Sequence, residues 1–456
     1  MIPIPAYSQN SQPAEFSVGQ RSQALFERAR AVFPDGTTRI TIDRDPVPRY
    51  VSRGEGAYLL DVDGRRFLDL NANFTTLIHG HAFEPMIAAV GNQLRNGTCF
   101  ANPTEAEVQL ASLLCERVPR LERIRFVNTG TEAVMFAIKA ARAFTGRPCI
   151  AKIEGAYHGA YDWVEIAQAS APENWGSPDH PAATPYYHGT PASVLDDVVV
   201  LRFNDPTAAR ELLSRRAGEI AAVLIDPMPS RAGLVAPEPG FLSAIQQTAR
   251  EHGILVISDE VLNFRQGYHG ASARYGLEPD LFALGKIIGG GFPIGAVGGP
   301  SEIMAVFDAG HARPLLPQGG TFSANPISML AGHAAMASLD QAAFARLETL
   351  GSNLRKLLSD AISRTSAPLS ITGAASLFRI HPKPKAPSEF REAYCTPAEA
   401  KADKEISRFF GRHGIILPSG AAACLSTPMG EPEIDAIASV FRAFLAENSA
   451  LLEEIA

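Results

Sequence analysis

The chain has 456 residues, 46% hydrophobic and 20% charged, and 41 Lys and Arg against 48 Asp and Glu give a net charge of −7. That length predicts two or more closely packed domains rather than one core, and the acidic balance, with no basic run anywhere, excludes the footprint of a nucleic-acid binder. Five scattered cysteines (Cys99, Cys115, Cys149, Cys395, Cys424) without C-x-x-C spacing read as reduced thiols of a cytoplasmic protein, the opening Met1–Tyr7 does not read as a signal peptide, and no run approaches the ~18 apolar residues of a membrane span.

Residues 1–20 are polar and aperiodic and predict a loose arm. A helix follows over Ser22–Val32, stopped by Pro34-Asp35-Gly36, and then a hairpin of Tyr58–Asp61 and Arg66–Leu70 around Asp63-Gly64. A helix striped by Val108, Leu110, Leu113, Leu114 and Val118 leads into the short apolar run Ile124–Val127. Six more such runs follow: Cys149–Ile153, Val198–Leu201, Ala221–Ile225, Ile254–Ile257, Leu281–Leu284 and Ile294–Val297. Helical stretches separate several of them, notably Glu132–Phe144 and Phe241–His252, the latter closed by Gly253. Short buried runs alternating with helices predict an α/β fold whose mostly parallel sheet is covered on both faces. One segment breaks the rhythm. Residues 160–195 are rich in proline and hold both tryptophans, Trp163 and Trp175, which suits either an ordered cover over a site or a surface insertion packed on its own aromatics. Near the end, Ile434, Ile437, Val440, Phe441, Phe444 and Leu445 form one helical face.

Four short segments stand where a parallel sheet places ligands, at the carboxyl ends of its strands. In Asn128-Thr-Gly130-Thr131-Glu132 a strand turns into a helix whose first N–H groups, with the Thr131 hydroxyl, suit a phosphate; a plain helix cap explains the segment alone. Gly155-Ala-Tyr157-His158-Gly159 offers a ring beside glycines that can stack on a heterocycle, or else a core tyrosine beside a satisfied histidine. Ser258-Asp259-Glu260-Val261 ends an apolar run in a carboxylate, which needs a positive partner such as a pyridinium nitrogen. In Leu284-Gly285-Lys286-Ile-Ile-Gly289 a lysine lies between an apolar strand and a glycine run, where desolvation makes its amine a nucleophile for carbonyls.

In this order the segments resemble the class III aminotransferases of the fold type I pyridoxal-phosphate family, over roughly residues 30–445. Within it they are similar to the group of glutamate-semialdehyde aminomutases, β-amino-acid aminotransferases and D-phenylglycine aminotransferases, and Gln318-Gly-Gly320-Thr321-Phe322 is a further match. The resemblance implies a large domain with a seven-stranded, mostly parallel sheet at 71–325, and a small α+β domain drawn from 1–70 and 326–456. It implies that Lys286 carries pyridoxal 5'-phosphate as a Schiff base and moves the substrate proton, and that Asp259 holds the ring nitrogen. Tyr157 would stack on one ring face with His158 beside it, Val261 on the other, and Gly130 and Thr131 would bind the phosphate. Thr321 would reach the phosphate of a neighbouring subunit, which implies a homodimer with shared sites; Arg39 and Arg231 are candidates for a substrate carboxylate.

The activity so implied is a ping-pong transfer of an amino group between an amino-acid-like or amine donor and a 2-oxo acid. An aminomutase is the alternative, and a cofactor-free scaffold of the same fold is the non-enzymatic one, disfavoured by the joint presence of Lys286, Asp259, Tyr157 and Thr131. Asp226 for the usual glutamate, Arg231, Asn263 and Val297 depart from the aminomutase pattern in segments expected to line the substrate side. Arg231 could meet a carboxylate or pair with Asp226. No phosphate-binding G-x-x-x-x-G-K-[ST] and no G-x-S-x-G elbow occurs, and His79-Gly-His81 reads as a turn rather than a metal site.

Overall fold

The computed structural model describes residues 19–310 and 312–456; the expected arm falls almost wholly outside them. At the centre lies a sheet of β1 (Arg123–Val127), β2 (Cys149–Ile153), β3 (Val198–Leu201), β4 (Ile220–Ile225), β5 (Leu255–Asp259), β6 (Leu281–Gly285) and β7 (Gly295–Gly299). All seven apolar runs of the sequence are in it, in the order β1-β7-β6-β5-β4-β2-β3. Only β7 runs against its neighbours, β6 and β1. The cause is chain length: residues 286–294 are too few for the crossover of a dozen or so residues that a parallel return demands.

Alternation along the strands builds two cores. Ala222 and Leu224 of β4 face the helix Gly130–Thr145, packing with Val134, Ala137 and Ile138. Val223 and Ile225 face the opposite side, with Phe241, Ile245 and Ala249 of the helix Phe241–His252. Both faces are therefore dry, which is why these strands read as unbroken apolar runs.

The two ends of the chain fold together. The hairpin Tyr58–Asp61 and Arg66–Asp69 forms as expected, and Ile415–Ile416 adds to it in parallel, Ile415 opposite Leu68. Helix Glu431–Glu447 buries the apolar face foreseen from Ile434 to Leu445 in one core with Leu350, Leu354 and Leu358 of helix Gln341–Thr365. Arg265, fully buried, fastens these ends to the sheet. Its Nη1 donates to the Thr75 carbonyl at 3.0 Å, its Nη2 to the Leu425 carbonyl at 2.5 Å and its Nε to Ser376 Oγ at 3.1 Å.

The proline-rich segment is ordered. It contains helices Asp162–Glu165 and Ala192–Asp196 and a two-residue strand pair, Gly176–Ser177 with His180–Pro181. Trp175 packs edge-on to Tyr394 at 5.7 Å, and Arg391 donates to the Trp175 carbonyl at 2.7 Å while its Nε holds the buried Glu154 at 2.8 Å. The segment is thus pinned to the C-terminal region and to the residue that follows β2.

Candidate active site

Register brings the chemistry together. Ser258 pairs with Ile225 and Asp259 with Ala283, so the carboxyl ends of β4, β5 and β6 lie level. Asp259 is buried with both oxygens engaged, Oδ2 with His158 Nδ1 at 2.7 Å and Oδ1 with the Val261 N–H at 3.0 Å. Burial holds the His158 imidazole below its usual pKa, while its bond to Asp259 pulls the other way. Its Nε2 is sealed from solvent without a hydrogen-bond partner among the described residues.

Lys286 follows β6 directly and starts a short 3₁₀ turn in the left-handed region, at φ 49. A non-glycine residue there is strained, and such strain collects at functional sites. Desolvation pushes the ammonium below its ordinary pKa, opposed by Asp259 and Asp226. Among the described residues no carboxylate reaches it as an ion pair. The amine is therefore placed to react rather than to bridge.

Around it the backbone is stripped of side chains. A Cβ on Gly130 would stand 2.7 Å from Val261 Cγ1, and one on Gly285 3.2 Å from the same atom, so Val261 is wedged between the two. The helix starts earlier than the sequence suggests, at Gly130, with Thr129 as cap; Thr129 Oγ1 accepts the Glu132 N–H at 3.1 Å. Thr131 instead accepts the Ala160 N–H at 3.2 Å, and Gly159 at φ 95 leaves no room for a Cβ beside it. That ties the Tyr157–His158 segment to the helix start. The Gly130 and Thr131 N–H groups donate to no carbonyl or side chain among the described residues, which fits a bound phosphate.

Tyr157 is half-exposed, and the Arg231 guanidinium lies 4.8 Å from its ring centroid. Burial raises the Tyr157 phenol, with Arg231 opposing and Tyr186 of the proline-rich segment among the nearby groups. Of the two readings for Arg231, the pairing with Asp226 is not what forms. Asp226 Oδ1 accepts instead from Asn263 Nδ2 and from the Met228 N–H at 2.9 Å. Val297 also departs from expectation: it is a fully buried core residue of β7, not part of an open substrate wall. Arg39 is exposed, 3.2 Å from Asn73 Oδ1 and 5.6 Å from the Phe74 ring, on the turn Ala72–Thr75 whose four residues all have positive φ. Thr321 is exposed and makes no hydrogen bond to Thr131 among the described residues; a Cβ on its neighbour Gly320 would stand 2.6 Å from Ser323 Oγ and 3.7 Å from Asn128 Nδ2.

Two features escaped the sequence. Lys152, with no exposure, donates to the carbonyls of Ile153 at 3.2 Å, Ala156 at 3.3 Å and Ile166 at 2.8 Å, tying together the bases of the Tyr157 segment. Glu154 meets Arg391 across 237 residues. The signal for both was a lysine inside the apolar run Cys149–Ile153 and a glutamate directly after it, but nothing in the sequence named their partners.

The family model for aminotransferase class-III matches residues 40–429. A solved omega-transaminase from Sphaerobacter thermophilus superposes with a TM-score of 0.92 at 47% identity, covering 94% of this chain and 98% of that one. A beta-phenylalanine aminotransferase from Variovorax paradoxus gives 0.84 at 30% identity, with 94% of each chain covered. A glutamate-1-semialdehyde 2,1-aminomutase of Methanothermobacter thermautotrophicus is 39% identical over 79% of this chain and 83% of its own. With the level strand ends, the desolvated lysine and the stripped helix start, these matches make the chain a member of the class-III aminotransferases, a family of pyridoxal-phosphate enzymes.

Proposed function

We propose that the protein is an intermolecular aminotransferase, exchanging an amino group between an amine or amino-acid-like donor and a 2-oxo acid, with Lys286 as attachment point and proton carrier. The observation that carries this reading is the Lys286 amine, desolvated, without an ion-pair partner among the described residues, on the turn that directly follows the strand paired with the Asp259 strand. Bound pyridoxal phosphate supplies a carbonyl that condenses with amines and a ring that accepts carbanion charge. The chain supplies the rest. Asp259, oriented by His158 and the Val261 N–H, is the carboxylate for a ring nitrogen. Gly130 and Thr131 offer N–H groups and a hydroxyl to the phosphate, Tyr157 and Val261 offer the two ring faces, and Lys286 moves the proton within reach of its amine. Arg231, stacked on Tyr157, is the nearer candidate for a substrate carboxylate, and Arg39 the second.

Thr321 completes the site only from a second copy, in a cytoplasmic homodimer. The exposed apolar side chains Leu94, Phe100, Val108, Leu315 and Phe322 support a face covered by that copy. The similarity to aminomutases favours amine migration within one substrate as the second reading. A screen of amine donors against pyruvate and 2-oxoglutarate separates them: a transaminase releases a keto product and needs an acceptor, an aminomutase neither. Borohydride reduction of the cofactor-loaded protein should fix a label at Lys286, and Lys286→Ala should lose both label and multiple turnover. Undiminished turnover in that variant would remove the mechanism.

A further inference from the structure

Asp226 directly follows β4 as Asp259 ends β5, and the pairing of Ile225 with Ser258 sets the two aspartates side by side on neighbouring parallel strands. Side chains level with one another on adjacent parallel strands share a face of the sheet. Their surroundings differ. Asp259 has a donor on each oxygen, His158 Nδ1 and the Val261 N–H. Asp226 receives both of its donors, Asn263 Nδ2 and the Met228 N–H, on Oδ1 alone, while Oδ2 accepts no hydrogen bond among the described residues. Asn263 is itself locked, its Nδ2 also 3.2 Å from the Met228 carbonyl and its Oδ1 accepting from Gln266 Nε2 at 2.6 Å. Two buried carboxyls side by side do not both ionise readily, and the one that keeps an oxygen without a donor, Asp226, is the better place for the proton.

We propose that Asp226 and Asp259 form a carboxyl pair carrying one proton, in which Asp226, aimed by Asn263, is a further residue of the cofactor site and presents a neutral, hydrogen-bond-donating oxygen beside Lys286. The proposal rests on the cofactor reading given above. Its chemical sense is charge balance: one anion is left for one ring nitrogen, and the second oxygen can donate to an electron-rich oxygen or nitrogen of the bound group instead of repelling it. Burial and the Asp259 charge both raise the Asp226 carboxyl well above the ordinary carboxylate range, with Lys286 opposing and Glu260 adding to the rise. Two residues at which the sequence departs from the aminomutase pattern, Asp226 and Asn263, are thereby one device.

The test does not depend on turnover. A buried acid that keeps its proton in the native state binds more protons folded than unfolded, so its contribution to stability falls as pH rises above the unfolded value. Asp226→Asn mimics the neutral form and removes this slope. Melting temperatures of parent and Asp226→Asn, each with and without pyridoxal phosphate, should show a gap in favour of the variant that widens from about pH 5 to about pH 8. Asn263→Ala should weaken pyridoxal-phosphate binding by about tenfold, as expected for loss of roughly 1.4 kcal/mol of positioning, and Asn263→Gln, which can still donate, should recover part of that. A variant less stable than the parent at every pH would show Asp226 ionised and overturn the pair. If the borohydride label at Lys286 forms while the gap is absent, only the pair falls; if no label forms, the cofactor reading falls first.

Discussion

Lys152 lies on β2, the strand next to the sheet edge, with its ammonium aimed at three carbonyls and, among the described residues, no carboxylate paired with it. Burial lowers its pKa to about 7, partly opposed by Glu154 and reinforced by Arg231. The unfolded chain then binds more protons than the native one between about 7 and the ordinary 10.5, so this group makes stability rise with pH across that window, its burial cost being complete below it. Lys152→Met should flatten that slope. At about pH 9, where the parent amine is neutral and still donates, the variant should be less stable by ~2 kcal/mol or more, because carbonyls at the base of the Tyr157 segment lose their donor. Denaturant midpoints of the two proteins across the window measure both effects. Residue-scale chemistry was partly legible. Lys286 and Asp259 stood out because a charge next to an apolar run needs a reason. The Asp226–Asn263 bond did not, because its partners are 37 residues apart and only strand order joins them.

The segment Gly155–Gly159 shows what an element must give up to stand where it does. Gly155 has φ 72, and a Cβ there would run into the Phe390 ring from the C-terminal region. Gly155→Ala should therefore cost about 2–4 kcal/mol, a left-handed penalty plus overpacking. Phe390→Leu in the same chain should return part of it, and the two melting temperatures together separate strain from contact. The strands were the most legible elements, since a strand dry on both faces has no polar positions to blur it; the direction of β7 and the true first residue of the helix Gly130–Thr145 were fixed by connection length and capping instead. Val297 was misplaced for the same reason: a valine in a buried strand looks alike whether it faces a core or a substrate.

At the scale of the whole molecule, one guanidinium joins three distant parts of the chain. Arg265 serves Thr75, Ser376 and Leu425 at once, so Arg265→Met should leave two carbonyls without donors and cost roughly 3 kcal/mol or more. Limited proteolysis should then cut near both ends before the sheet. The sequence announced none of this, since a fully buried arginine is legible only through acceptors that arrive from distant parts of the chain.

The parallel pairing of Ile415 with Leu68 has a consequence for biogenesis. While the ribosome is still extending the chain, the Arg66–Asp69 strand waits with one side unpaired for several hundred residues, and an uncovered strand edge invites pairing with another nascent chain. Polypeptides released before residue 415 should accordingly precipitate or be held by chaperones, whatever the state of their central sheet.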